Sequence, residues 1–202
     1  MTLLQERPTS ASAGARRAMI DCQLRVSGVT DAAVLGAMMR VPREDFVPAA
    51  ARDAAYIDRA VPLGDGRFLA APLFYGRMLS EAAPTLSDSV LVVNGGCGYL
   101  AALVTPLVGS CVSIGTAAAL APAPAADGSY TLILIDGAIE NLPETLAARL
   151  TEGGRIVTGL AERGVTRLAL GRSIGGHVAL LALADLGIPL LPEFAATRGW
   201  SF

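Results

Sequence analysis

Apolar positions change their spacing part-way along the chain. Val34, Leu35, Met38 and Met39 recur at helical intervals on one face of Thr30–Arg40, and Leu73, Met78 and Leu79 do so on Pro72–Ala83. Thr30 stands where an N-cap is wanted. Val41-Pro42 ends the first helix, because proline restricts the residue before it, and Pro72 opens the second where no N–H is needed. After Pro84 the apolar residues gather into short continuous runs. Ser89–Val93, Cys111–Ile114, Tyr130–Ile135, Arg155–Thr158, Thr166–Leu170 and His177–Leu183 read as strands, alternating with turns and with helical segments such as the one near Pro143–Leu150. That alternation predicts an α/β sheet that starts parallel. Only the turn Arg172–Gly176 separates the last two runs, so an antiparallel hairpin should finish the sheet. Thr116–Asp127, made largely of Ala and Pro, has room for a short helix at most.

Composition narrows the function classes. With 202 residues, 52% of them hydrophobic and 17% charged, the chain is long enough for one well-buried domain and too apolar for disorder as its main state. Its sixteen basic residues are all Arg, with none between Arg77 and Arg149, so the continuous basic face of a nucleic-acid groove is not expected. Cys22, Cys97 and Cys111 are odd in number and lack C-x-x-C spacing, which predicts neither a disulfide framework nor a zinc site. No apolar run reaches the roughly 18 residues of a membrane span, and Met1–Arg17 has no apolar signal core. The expectation is a cytoplasmic protein with residues 1–14 as a flexible tail.

Chemistry centres on the turn after Val93. Asn94-Gly95-Gly96-Cys97-Gly98 follows a strand and precedes a helix, where glycines let backbone approach a ligand and the helix N-terminus favours an anion, although a tight turn binding nothing needs the same residues. A nucleoside cofactor would also want a carboxylate at the end of the next strand, to accept from two ribose hydroxyls. That strand ends Val112-Ser113-Ile114-Gly115, with no acid before Asp127 downstream. Cys97, near a helix N-terminus, is open to a lowered thiol pKa. Asp136 and Glu140 follow a central strand and read either as ligand-crevice carboxylates or as loop and helix-start acids. His177, the single histidine, reads as structural or surface, which leaves no Ser–His–Asp or Cys–His constellation.

Another set of stretches stands out: Met19-Ile20-Asp21-Cys22-Gln23-Leu24-Arg25, Gly28-Val29-Thr30-Asp31, Val34-Leu35, Val41-Pro42-Arg43-Glu44-Asp45-Phe46-Val47-Pro48 and Ala55-Tyr56-Ile57-Asp58-Arg59-Ala60-Val61-Pro62-Leu63-Gly64, joined by the glycine turn from Val90 to Tyr99, Tyr130–Asp136 and Leu150–Val157. Together they resemble the protein-L-isoaspartate O-methyltransferase family. The likeness runs from about Ala15 to the aromatic tail Gly199-Trp200-Ser201-Phe202. It implies a seven-stranded, Rossmann-like methyltransferase fold, here short of one edge strand and carrying an N-terminal helical extension: residues 15–88 helical, 89–202 Rossmann-like, one domain in all. It implies S-adenosylmethionine as methyl donor, the α-carboxylate of isoaspartyl residues as acceptor, and protein repair as the purpose.

The departures fall on the cofactor site. Where the family's loop has its acid and first glycine this chain has Val92 and Asn94, keeping Gly96, Gly98 and Tyr99. The ribose-binding acid falls on Gly115, the substrate-motif hydroxyl falls on Ala70, and only Gly115–Ser129 remains where the family carries a helix, a strand and an adenine-contacting turn. The resulting expectation is a family descendant without cofactor or catalytic residues, a pseudoenzyme serving as a binding or scaffold protein. The alternative is an active or weakly active carboxyl methyltransferase that uses S-adenosylmethionine, with Asn94, Gly96, Gly98 and Asp136 shaping a reduced cofactor site. A protein partner or second copy is expected to engage Trp200 and Phe202, or the Cys111–Ile114 edge.

Overall fold

A computed structural model describes residues 10–122 and 130–196. Helix α1 (Ser10–Met19) starts inside the segment expected as a tail and continues through a π-turn, Ile20–Leu24, into a short 3-10 turn. Helix α2 (Ala32–Arg40) is capped by Asp31, one residue after the expected Thr30. A single Asp31 oxygen accepts from the Ala33 and Val34 N–H groups at 2.8 and 3.0 Å, satisfying two of the donors a helix start leaves free. Helix α2 buries Val34, Leu35, Ala37 and Met38, while Met39 faces solvent. Helix α3 (Pro72–Ala82) begins at the expected proline and buries Phe74, Tyr75, Met78 and Leu79, with Leu73 only half-buried. Between these helices a small antiparallel hairpin, β1 (Val61–Gly64) and β2 (Arg67–Leu69), is too short to leave a periodic signal in the sequence.

The main sheet follows. In chain order it contains β3 (Ser89–Asn94), α4 (Tyr99–Val104), β4 (Ser110–Gly115), α5 (Thr116–Leu120), β5 (Tyr130–Ile139), α6 (Glu144–Ala147), β6 (Leu150–Glu162), β7 (Val165–Ile174) and β8 (His177–Asp185). The spatial order is β4-β3-β5-β6-β7-β8, the first four strands parallel and the last two antiparallel. Among the described residues β4 and β8 are the two edges.

Alternation across β3 divides the core. Val90 and Val92 pack with α2, α3 and α4 on one face, whereas Leu91 and Val93 meet Ile133, Ile135, Ile156, Leu191 and Phe194 on the other. Arg155 of β6 joins the layers by gripping Asp88 with two hydrogen bonds of 2.9 Å, locking the loop before β3. No helix of the described residues is long and apolar enough to cross a membrane.

Candidate functional site

In an open parallel sheet, ligands bind beyond the carboxyl ends of the strands, because the loops there splay apart and helix N-termini point inward. Here that place is built from the ends of β3, β4 and β5, whose residues Asn94 and Gly115 are paired neighbours. The glycine turn is closed on itself. Asn94 Oδ1 accepts from the Gly96 N–H at 2.8 Å and the Gly98 N–H at 3.1 Å. Two backbone donors of the turn are therefore already taken by a side chain of the same turn. Gly98, with φ +78°, supplies the left-handed step into α4, a helix of only 6 residues.

Asp136 stands beside this turn at the end of the regular β5 pairing. It accepts from Tyr75 Oη at 2.8 Å, and Tyr75 Oη in turn accepts from the Ala70 N–H at 3.3 Å. The Gly95 N–H also reaches the Asp136 carboxylate, and a Cβ on Gly95 would fall 1.8 Å from the Asp136 carbonyl oxygen, so no side chain fits there. Burial pushes the Asp136 carboxyl up to about 6, against the opposing pull of Tyr75 and of the Arg43 charge. Arg43 is fully buried, donating to the Ala55 and Ala70 carbonyls and lying over the Tyr75 and Tyr99 rings. Ala70, Asp136 and the glycine turn are thus stapled into one rigid cluster.

A second cluster spans the strand ends. Arg67 of β2 makes a bidentate ion pair with Glu193, and Thr116, the residue after β4, donates to Glu193 at 2.8 Å. The Arg67 stem lies against Gly96. Burial disfavours the Glu193 carboxylate, but the hydrogen bonds from Arg67, its own backbone and Thr116 hold its pKa below the usual value. Behind this pair the segment after β8 seals the end of β5: the Ala138 N–H donates to the Pro189 carbonyl at 2.7 Å and the Leu191 N–H to the Ala138 carbonyl at 2.8 Å. Gly115 is the open place in the arrangement, since a Cβ there would meet nothing within 4 Å.

The structure therefore gathers Asn94, Gly96, Gly98 and Asp136 at one site. Glu140 serves the C-terminal segment, accepting from the Ala196 N–H at 2.7 Å. Cys97 is not activated: burial raises its thiol to about 11. His177 lies exposed at the start of β8, on the far side of the sheet order. No metal-binding group of three His, Cys, Asp or Glu side chains occurs among the described residues. Sequence reasoning missed Tyr75, Arg67 and Glu193. The one legible hint for Tyr75 was its place on the buried face of α3, and the Arg67–Glu193 pair joins residues 126 positions apart.

Residues 15–127, more than half of the chain, match the family model for protein-L-isoaspartate (D-aspartate) O-methyltransferase. The chain belongs to this family. A protein-L-isoaspartate O-methyltransferase from Methylorubrum extorquens is 35% identical over 175 aligned residues, covering 76% of this chain and 77% of its own. One from Koribacter versatilis is 32% identical over 200, covering 87% and 90%. Among solved structures, a Plasmodium falciparum protein described as a member of this family, in complex with S-adenosyl-L-homocysteine, superposes with TM-score 0.66 at 16% identity, over 88% of this chain and 96% of its own. That likeness establishes the methyltransferase fold. The expectation of a family member without cofactor draws no support from these relatives, which bear the enzyme's name, one of them holding the demethylated cofactor.

At this site Asn94 Oδ1 already engages two turn donors, Gly115 contributes no side-chain acceptor, and the Arg67–Glu193–Thr116 cluster ties the strand ends together.

Proposed function

We propose that this chain is a protein-L-isoaspartate O-methyltransferase family protein that has given up S-adenosylmethionine-dependent catalysis and acts by binding. The observation that carries the reading is the pairing of Asn94 with Gly115: a self-satisfied glycine turn beside a strand that ends without a carboxylate of its own. Methyl transfer to an ionised carboxylate relies on holding donor and acceptor in line, so the site's contribution is positioning. Two charge-assisted hydrogen bonds to ribose, at roughly 1.5–3 kcal/mol each, are worth at least about a hundredfold in affinity.

The test is a methyl-transfer assay on an isoaspartyl peptide, run on the natural chain and on Asn94→Gly combined with Gly115→Asp. The natural chain is expected to transfer no methyl above background. The double variant is expected to bind S-adenosylmethionine at least about tenfold more tightly, because it frees the turn donors and returns an acceptor where there is open space. Turnover by the natural chain would overturn the reading.

A second reading, S-adenosylmethionine-dependent carboxyl methylation in protein repair, is supported by the relatives at 35% and 32% identity and by the bound S-adenosyl-L-homocysteine of the Plasmodium relative. On that reading Asn94, Gly96, Gly98 and Asp136 bound the cofactor crevice, and Arg67 must let go of Glu193 for the cofactor to enter.

A further inference from the structure

The turn that closes β3 carries a reactive sequence. Asn94 is followed by Gly95, and an asparagine before a glycine is where the main chain is most open to attacking a side-chain amide, because glycine puts no Cβ beside its own nitrogen. The chain has one other asparagine, the exposed Asn141, and it is followed by the bulky Leu142. The fold adds to the reactivity of Asn94. Its Oδ1 accepts from the Gly96 N–H at 2.8 Å and the Gly98 N–H at 3.1 Å, so the side chain is folded forward over its own following peptide. Two backbone donors on one amide oxygen also draw charge from Cγ, and they are aimed where negative charge develops when a nucleophile adds there. The Gly95 nitrogen lies past Val93 and Ile135, the last pair of β3 with β5, and its N–H reaches the Asp136 carboxylate. Gly96 is exposed and Asn94 half-buried, which lets ammonia leave and water enter.

We propose that Asn94-Gly95 is a self-modification site, at which the fold itself deamidates Asn94 through a cyclic imide. The Gly95 nitrogen adds to Asn94 Cγ, forming a C–N bond that closes a ring, while its proton passes to the Asp136 carboxylate. The Gly96 and Gly98 N–H groups hold the oxyanion on Oδ1. The carbonyl then re-forms as the Cγ–Nδ2 bond breaks, Asp136 returns the proton to Nδ2, and ammonia leaves. Water opens the ring. Cleavage between nitrogen and Cγ gives aspartate, and cleavage between nitrogen and the main-chain carbonyl carbon gives isoaspartate, either of which adds a negative charge to the crevice. Isoaspartate also lengthens the main chain by a methylene at the end of β3, where Asn94 pairs with Gly115. The crevice thus records the age of the molecule, whichever ligand it takes.

Peptide mapping by mass spectrometry tests this on the full chain, held in neutral buffer and sampled over days. The expected result is a mass gain of about 1 Da in the peptide that contains Asn94, as two products separable by chromatography, with no gain at Asn141. Conversion in the folded chain should be at least about tenfold faster than in the same chain held unfolded in guanidinium, since only the fold supplies the oxyanion donors and the carboxylate. Asp136→Asn, in protein whose circular dichroism spectrum matches the natural chain, should slow conversion at least about tenfold. Asn94→Asp, which has no amide to lose, should show no gain in that peptide. A folded chain that reacts no faster than the unfolded one would overturn the proposal, and so would a folded Asp136→Asn chain that reacts at the natural rate. If Asp136→Asn does not fold, the comparison of folded with unfolded natural chain decides alone.

Discussion

Two buried carboxylates titrate in opposite senses. Asp136 is raised by burial from 3.8 to about 6, so the folded state binds a proton more tightly than the unfolded chain does. Its contribution is fully present below the ordinary value and is lost as pH rises to about 6. Asp88 is held well below its ordinary value, chiefly by Arg155. Its contribution is present above that ordinary value and disappears as pH falls past it. Urea midpoints followed from pH 4 to 7 should therefore lose, in Asp136→Asn, the decline that Asp136 imposes on the natural chain; an unaltered profile would contradict the assignment. Arg155→Met, which strands Asp88 without its partner, should cost about 3 kcal/mol at neutral pH. At this scale the sequence was legible where a residue acts on its neighbours. Cap chemistry pointed to the start of α2 and missed only which of Thr30 and Asp31 does the capping. Asn94 read as a lost glycine, and its capture of two turn donors depends on the folded path of the turn.

Elements were legible in proportion to their length. Strands β3 and β4 match their apolar runs, while β6 and β7 run well beyond theirs, because pairing with neighbouring strands carries polar residues such as Glu162 and Arg172 into the ladder. The segment after β8 left no periodic signal, yet it closes the end of β5. Gly137, at φ +152°, shows how closely: a Cβ there would stand 2.6 Å from Leu191 Cγ. Gly137→Ala is expected to cost about 3 kcal/mol through overpacking and backbone strain. Combining it with Leu191→Ala should return part of that loss, a coupling of at least about 0.5 kcal/mol in a double-mutant cycle. Strict additivity would mean that the two residues do not meet in solution. The aromatic pair Trp200 and Phe202 lies outside the described residues, so the contact expected of it stays a proposal.

For the whole molecule, the α/β fold and its closing hairpin were readable because periodicity and local turn chemistry decide them, and the family because its motifs are contiguous. The state of the crevice was only half readable. Absence of an acid at Gly115 is plain in the sequence, whereas the Arg67–Glu193–Thr116 cluster depends on chain segments brought together by the fold. Cofactor affinity is what separates the proposed loss of catalysis from the activity of the family. The direct measurement is calorimetric titration of the natural chain with S-adenosylmethionine and with S-adenosyl-L-homocysteine. Loss of catalysis predicts no saturable heat at about 10 μM ligand, the affinity expected of a competent enzyme. A dissociation constant of about 10 μM or tighter, worth roughly 7 kcal/mol, would contradict it and return the chain to the working methyltransferases.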